Sequence, residues 1–274
     1  MRILLTNDDG YSAKGIKVLA GIMRRYGELV AVAPKEAQSG MSLAVSMGHR
    51  PIGVRKLREA EGEQWWCLDG TPASCVKYGI DNVFPPLKPD LVVSGINHGS
   101  NAASAAHYSG TIGAAMEGAI NGIPSIGVSL DAFDPDADFS CVEEMLPGIL
   151  DVLIPNISRR FGTYYNINFP NLPASQIKGI VPCRLGAVHW EDEYQDFYSY
   201  LEKKGREPSA ADLEYISRME SDELLYVMAG EMVHNPGDFE DADHKLLEKG
   251  FVTITPQKLD CTDYDELQKL CGIF

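Results

Sequence analysis

Two adjacent aspartates, Asp8 and Asp9, stand one residue beyond the short apolar run at residues 3–6. Carboxylates placed side by side repel each other, and a shared cation relieves that repulsion most directly. Two more oxygen-bearing groups occupy comparable places: Ser39 in Gln38-Ser39-Gly40, and Asn97 in Ser94-Gly95-Ile96-Asn97-His98-Gly99-Ser100-Asn101. An all-oxygen set without thiolate or imidazole favours Mg²⁺ or Mn²⁺ over Zn²⁺ or copper. With only two negative charges facing it, a bound ion would stay electrophilic. Each residue taken singly also has an ordinary reading: an aspartate capping a helix, a loop hydroxyl, a turn asparagine bonded to its own backbone. Their joint placement is what points to a metal.

A second group could hold an anion. Tyr108-Ser109-Gly110-Thr111 leads into the small-residue stretch Ile112-Gly113-Ala114-Ala115-Met116-Glu117-Gly118, the pattern of a tight turn feeding a helix. Free N–H groups and the dipole at a helix start hold phosphate oxygens; Ser109 and Thr111 would add hydroxyl donors, and Gly110 would admit close backbone approach. A plain N-cap, with the small residues packed on a sheet, is the competing reading. There is no Walker lysine motif, no G-x-G-x-x-G and no D-x-D nucleophile pair after the first strand, and no G-x-S-x-G elbow. His98, His107, His189, His234 and His244 remain available as acids, bases or phosphate donors, with no spacing that singles one out.

Strands must position these groups. Residues 3–6 read as a buried strand, residues 14–26 as a helix with Ile16, Leu19, Ala20, Ile22 and Met23 near the helical period, and residues 29–33 as a second strand. That is a βαβ unit. Residues 91–93, 111–121 and 125–130 repeat it as strand, helix and strand, which predicts an α/β fold with a doubly wound, mostly parallel sheet. In such sheets ligands bind beyond the carboxyl ends of the strands, where all three polar groups fall. Residues 51–54 and 65–68 read as paired strands, and Thr71-Pro72 as a helix start with a capping hydroxyl. Beyond residue 130, residues 141–153 read as a helix and 165–169 as a strand. The charged, tyrosine- and glycine-bearing stretch 191–243 fits projecting hairpins or an exchanged arm.

With 274 residues and 45% hydrophobic content, one enzyme-sized unit is expected. The formal charge of −15 gives no overall attraction to a nucleic-acid duplex or an anionic membrane, so a phosphate ligand needs local positive potential. The start is apolar too briefly for a signal peptide, and no run reaches membrane-spanning length. A soluble, cytoplasmic protein is expected. The six cysteines form no C-x-x-C pair and are expected to be reduced and mostly buried.

The segments Leu4-Leu5-Thr6-Asn7-Asp8-Asp9-Gly10, Ser39-Gly40, Ser94-Gly95-Ile96-Asn97 through Asn101, and residues 108–118 together resemble the survival protein SurE family. Asp69-Gly70-Thr71-Pro72, Asn166-Ile167-Asn168-Phe169-Pro170 and Gly250-Phe251-Val252-Thr253-Ile254-Thr255-Pro256 extend the likeness, in order, over nearly the whole chain. The resemblance implies a metal-dependent nucleotidase that releases phosphate from nucleoside 5′- and 3′-monophosphates, with some members also acting on short polyphosphate. It implies one divalent ion per subunit, Mg²⁺ or Mn²⁺, held by Asp8, Asp9, Ser39 and Asn97. Asn101, Ser109, Gly110 and Thr111 would meet the phosphate, and Asp8, Asp9, Asn101 and Ser109 would form the catalytic set. One SurE-like domain over 1–274 is expected, with a Rossmann-like catalytic core at 1–130. Its C-terminal part, 131–274, would carry elements exchanged in a homodimer or homotetramer. Residues 190–243 match no pattern of the family, which bears on substrate range and subunit contacts. Two other readings stay open: a phosphatase for sugar or other small phosphomonoesters or polyphosphate, and a nucleotide-sensing module without turnover.

Overall fold

The apolar runs fold as strands because β-branched and leucine side chains can be buried on both faces of a parallel sheet. In the computed structural model, which describes residues 1–48, 51–134 and 136–274, these runs become β1 (Arg2–Thr6), β2 (Glu28–Pro34), β5 (Leu91–His98) and β6 (Ser125–Leu130). Between them lie α1 (Lys14–Met23), β3 (Val54–Ala60), β4 (Glu63–Leu68), α2 (Pro72–Tyr78) and α3 (Gly110–Ile120). The main unit continues with α4 (Ser140–Asn156), β7 (Thr163–Phe169) and β8 (Ile180–Pro182).

The chain forms two units, Met1–Gly186 with Phe239–Phe274, and Ala187–Asp238. The smaller unit holds β9 (Val188–Glu191), β10 (Tyr194–Asp196), α5 (Phe197–Lys204), α6 (Ala210–Ile216), β11 (Tyr226–Met228) and β12 (Glu231–His234). Its strands form two short antiparallel ladders, β9 with β12 and β10 with β11. The main unit resumes with α7 (Asp243–Glu248), β13 (Val252–Lys258) and α8 (Tyr264–Cys271).

The large sheet runs β3-β4-β2-β1-β5-β6-β7-β13-β8. From β4 to β7 every neighbouring pair is parallel. Numbered by sequence among themselves, those six strands stand in the order 3-2-1-4-5-6, the doubly wound order of dinucleotide-binding folds. The direction of winding reverses between β1 and β5, which opens a crevice beyond their carboxyl ends. β13 closes the far side antiparallel to β7, so the main unit draws strands from both sides of residue 130. Helices cover both faces. Ile16, Leu19, Ala20 and Met23 of α1 pack with Val142, Leu146, Ile149 and Leu150 of α4 on one face. Cys75 and Val76 of α2, with Ala114 of α3, pack on the other.

Several boundaries differ from the sequence reading: the helix read over 14–26 ends at Met23, the strands read at 65–68 and 165–169 begin at Glu63 and Thr163, and the larger shifts are in β5 and β3. β5 runs on to His98, because β6 continues beside it and pairs Asn97 with Ser129 and His98 with Leu130 past an irregularity at residues 94–97. The strand expected at 51–54 lies instead at Val54–Ala60, antiparallel to β4. The two residues Glu61 and Gly62 join these strands as a hairpin turn, and that turn sets their register. Thr71 caps α2 as expected, its hydroxyl accepting the Ser74 N–H. The cysteines are free thiols; Cys67, Cys75 and Cys141 are buried, whereas Cys261 and Cys271 are exposed. Among the described residues no helix is long and apolar enough to cross a membrane.

Candidate active site

Asp8 and Asp9 stand two and three positions after the last residue of β1, so the sheet delivers both carboxylates to the crevice. Asp8 is 4% exposed. Thr111 donates to it twice, from its hydroxyl to Oδ1 at 2.6 Å and from its backbone N–H to Oδ2 at 3.2 Å. Burial pushes the Asp8 carboxyl up to about 6, with the neighbouring Asp9 charge adding to the rise and the Thr111 bonds opposing it. Asp9 is half-buried, and burial raises it as well, against the pull of His98. The His98 N–H approaches Asp9 Oδ2 at 3.4 Å. No lysine or arginine among the described residues pairs with either aspartate. Two desolvated carboxylates side by side, with no lysine or arginine among the described residues paired to them, form a place where a cation lowers the energy of the protein itself.

Asp9, Ala13, Lys14, Ser39, His98 and Phe133 line one cleft of about 400 Å³. Ser39 is exposed, whereas Asn97 is buried at the end of β5 and donates its amide Nδ2–H to the Gly99 carbonyl at 2.7 Å. Asp9 and Ser39 therefore share a cavity, and Asn97 immediately precedes the residue whose N–H meets Asp9. Clusters of three or more His, Cys, Asp or Glu side chains able to hold a metal are absent among the described residues. Asp8, Asp9, Ser39 and Asn97 would together offer two carboxylates, a hydroxyl and an amide oxygen, a donor set whose chemistry fits a hard divalent ion. A larger hollow of about 530 Å³ lies between residues 160–163 and 256–260, at the amino end of β7 and away from the carboxyl ends that carry the constellation.

The start of α3 packs directly against Asp8. A Cβ at Gly110 would stand 2.9 Å from Asp8 Cβ and 3.2 Å from the Gln38 carbonyl, so only glycine lets the helix come this close. A Cβ at Gly113 would fall 1.9 Å from the Ser42 carbonyl, which is how the loop carrying Ser39 lies down on α3. The helix start is less open than the sequence suggests. Ser109 is the N-cap, its Oγ accepting the Ile112 N–H at 3.1 Å, and the Thr111 N–H is engaged by Asp8.

Asn101 belongs to a separate polar network. Its N–H donates to Asn168 Oδ1 at 2.8 Å, its Nδ2–H to Ser129 Oγ at 2.8 Å, and its carbonyl accepts from Asn166 Nδ2 at 2.7 Å. No hydrogen bond links Asn101 to Asp8 or Asp9 among the described residues; the segment between Asn97 and Asn101 is its connection to them.

Sequence reasoning missed several contributors. Asp243, fully buried, accepts the N–H groups of Ala103, Gly186 and His244 at 2.9 to 3.0 Å, and burial raises its carboxyl. Ala103 has φ +51°, a left-handed conformation costly for a residue with a Cβ, and Asp243 holds it there two positions after Asn101. In the acidic run Glu240-Asp241-Ala242-Asp243 it looks like solvated surface charge, and nothing local distinguishes it. Lys14 donates to the Ala137 carbonyl at 2.7 Å, tying α1 to the loop after β6.

The family model described as "Survival protein SurE" matches residues 3–192. A protein named 5'-nucleotidase SurE from Christiangramia forsetii is 35% identical over 269 residues, covering 98% of this chain and 95% of its own. One of the same name from Syntrophomonas wolfei is 36% identical over 269 residues, covering 96% and 91%. The crystal structure of the SurE protein from Aquifex aeolicus superposes with a TM-score of 0.77 at 30% identity, covering 100% of this chain and 99% of that one. A parallel sheet of doubly wound order and relatives matched end to end agree on one lineage, and the chain belongs to the survival protein SurE family.

Proposed function

We propose that this protein is a nucleotidase, a phosphoric monoester hydrolase that releases phosphate from nucleoside 5′-monophosphates, and from 3′-monophosphates as well, with the help of one Mg²⁺ or Mn²⁺. The observation that carries the reading is the pair Asp8 and Asp9, desolvated at the switch point of the sheet, with no lysine or arginine among the described residues paired with either. Relatives named 5'-nucleotidase SurE, matched over nearly their whole length, support the substrate class.

Asp8, Asp9, Ser39 and Asn97 would hold the ion. When bound, it would supply positive charge to a phosphate oxygen and lower the pKa of a water. Thr111 keeps Asp8 oriented through two hydrogen bonds, and in doing so couples the start of α3 to the carboxylate. Asp9, the more open of the pair, faces the cleft and has reach to a water or to phosphorus, as a general base or as a nucleophile. Ser109 and Gly110 at the helix start, with Asn101, would receive the remaining phosphate oxygens, and Thr111, expected there from the sequence, would act through Asp8, which takes both of its donors. The exposed Tyr264, Leu267 and Leu270 of α8, a helix with no buried residue, support a homodimer or homotetramer.

The test is phosphate release from AMP, GMP and CMP with Mg²⁺, with Mn²⁺ and with chelator, for the wild type, Asp8→Asn and Asp9→Asn. Metal-dependent release by the wild type and its loss in both folded variants is expected. Full activity in both variants would remove the site, and nucleotide binding without turnover by the wild type would make the protein a sensor.

A further inference from the structure

Nothing in the carboxylate site distinguishes a nucleotide from any other phosphate monoester, so whatever favours a nucleoside must lie where the alcohol part of the substrate projects. The cleft that holds Asp9 and Ser39 has one large apolar side chain on its wall, Phe133. Its volume, about 400 Å³, falls within the ~300–1,000 Å³ typical of small-ligand pockets. Phe133 is 80% exposed. A single exposed apolar residue is unremarkable on a protein surface; one on the wall of a polar cleft beside a carboxylate calls for an explanation.

The ring is not a loose end. It rests over the backbone of Gly99, where a Cβ would stand 2.6 Å from ring atom Cε1. The ring is therefore in contact with the segment between Asn97 and Asn101. The loop that bears it is pinned at both flanks to the same constellation. Phe139 is buried, lies edge-on to the His98 ring with centroids 5.0 Å apart, and has Lys14 Nζ 5.8 Å from its own centroid. The His98 ring nitrogen Nδ1 lies 3.0 Å from the Asp134 carbonyl, next to Phe133, and Lys14 donates to the carbonyl of Ala137. His98 thus touches Asp9 with its backbone and the Phe133 loop with its side chain.

We infer that Phe133 is the platform on which the nucleobase of the substrate stacks, with the phosphate at Asp8 and Asp9 and the sugar between them. A phenyl ring has a π face and no hydrogen-bonding edge, so it accepts any base and reads none of them. The subsite therefore takes nucleoside monophosphates as a class, purines better than pyrimidines because they offer more stacked area. This rests on the nucleotidase reading for the identity of the phosphate end, while the stacking claim concerns the other end of the ligand.

The experiment measures kcat/KM on AMP, CMP and ribose 5-phosphate, the last lacking a base, for wild type, Phe133→Ala, Phe133→Trp and Tyr108→Ala. Tyr108, also exposed, does not line the cleft and serves as the competing aromatic. Expected for Phe133→Ala is a fall in the AMP to ribose 5-phosphate ratio of roughly five- to hundredfold, the worth of one base stacked on an aromatic ring. The change should appear in KM, should be smaller for CMP, and should be reversed by Phe133→Trp. An unchanged ratio in Phe133→Ala, or a ratio that falls in Tyr108→Ala instead, overturns the proposal. Calorimetric binding of AMP and ribose 5-phosphate in the presence of Mg²⁺ gives the same ratio without turnover. If no substrate is hydrolysed, the nucleotidase reading fails, and the stacking proposal still stands or falls on that binding ratio.

Discussion

Asp8→Asn tests the electrostatics of the site through stability rather than activity. The Asp8 carboxyl is raised from 3.8 to about 6 by burial. Between those values the native state binds more protons at this position than the unfolded chain, so stability falls as pH rises through the window. At about 1.4 kcal/mol per pKa unit, the burden on the metal-free protein above pH 6 is about 3 kcal/mol, of which roughly 2 is acquired between pH 4 and pH 7. Asparagine keeps the shape and drops the charge. Its amide can accept the Thr111 N–H through Oδ1 and donate to the Thr111 hydroxyl through Nδ2, so any change in these bonds does not depend on pH. The pH-dependent part is thereby isolated in the difference between the two proteins. Urea unfolding with chelator present, at intervals from pH 4 to pH 7, should show the variant gaining on the wild type by roughly 2 kcal/mol across the series. Added Mg²⁺ should stabilise the wild type and leave Asp8→Asn nearly unmoved at neutral pH. A stability difference that stays flat from pH 4 to pH 7 refutes the claim that Asp8 carries an uncompensated buried charge.

Gly110→Ala should lower kcat/KM on the order of ten- to hundredfold, because the added Cβ must displace Asp8 or the Gln38 carbonyl by a few tenths of an ångström or more. Steady-state kinetics read this beside a denaturation curve; an active enzyme would show the close approach to be dispensable. Asp243→Ala should lower the unfolding free energy by about 3 kcal/mol or more, since the N–H groups of Ala103, Gly186 and His244 lose their acceptor in a dry interior. Asp243→Asn, which keeps one acceptor oxygen, should lose less, and urea midpoints that rank the two variants the other way would contradict the clamp.

Local sequence determined much of this protein. The runs at 3–6, 29–33 and 125–130 are apolar enough to be buried on both faces, and each is a strand of the parallel sheet. Thr71 and Ser109 precede helices and cap them with their hydroxyls, a bond within four residues that needs no tertiary partner. The paired aspartates stand out because adjacent like charges at a strand end are costly without a ligand. What the tertiary structure decided depends on residues far apart in the chain. β5 extends to His98 only because β6 runs beside it. Thr111 is spent on Asp8, 103 positions away, so its N–H is not the open donor that a helix start alone would offer. Asp243 clamps Ala103 across 140 positions, and an acidic run gives no local sign of it. Phe133 becomes a cleft wall because His98 and Lys14 draw its loop against the carboxylate site. Hydrophobic periodicity and capping are written over a few residues and survive in the sequence as patterns. Which buried polar group meets which is settled by packing, where a desolvated donor or acceptor must find a partner wherever the fold brings one.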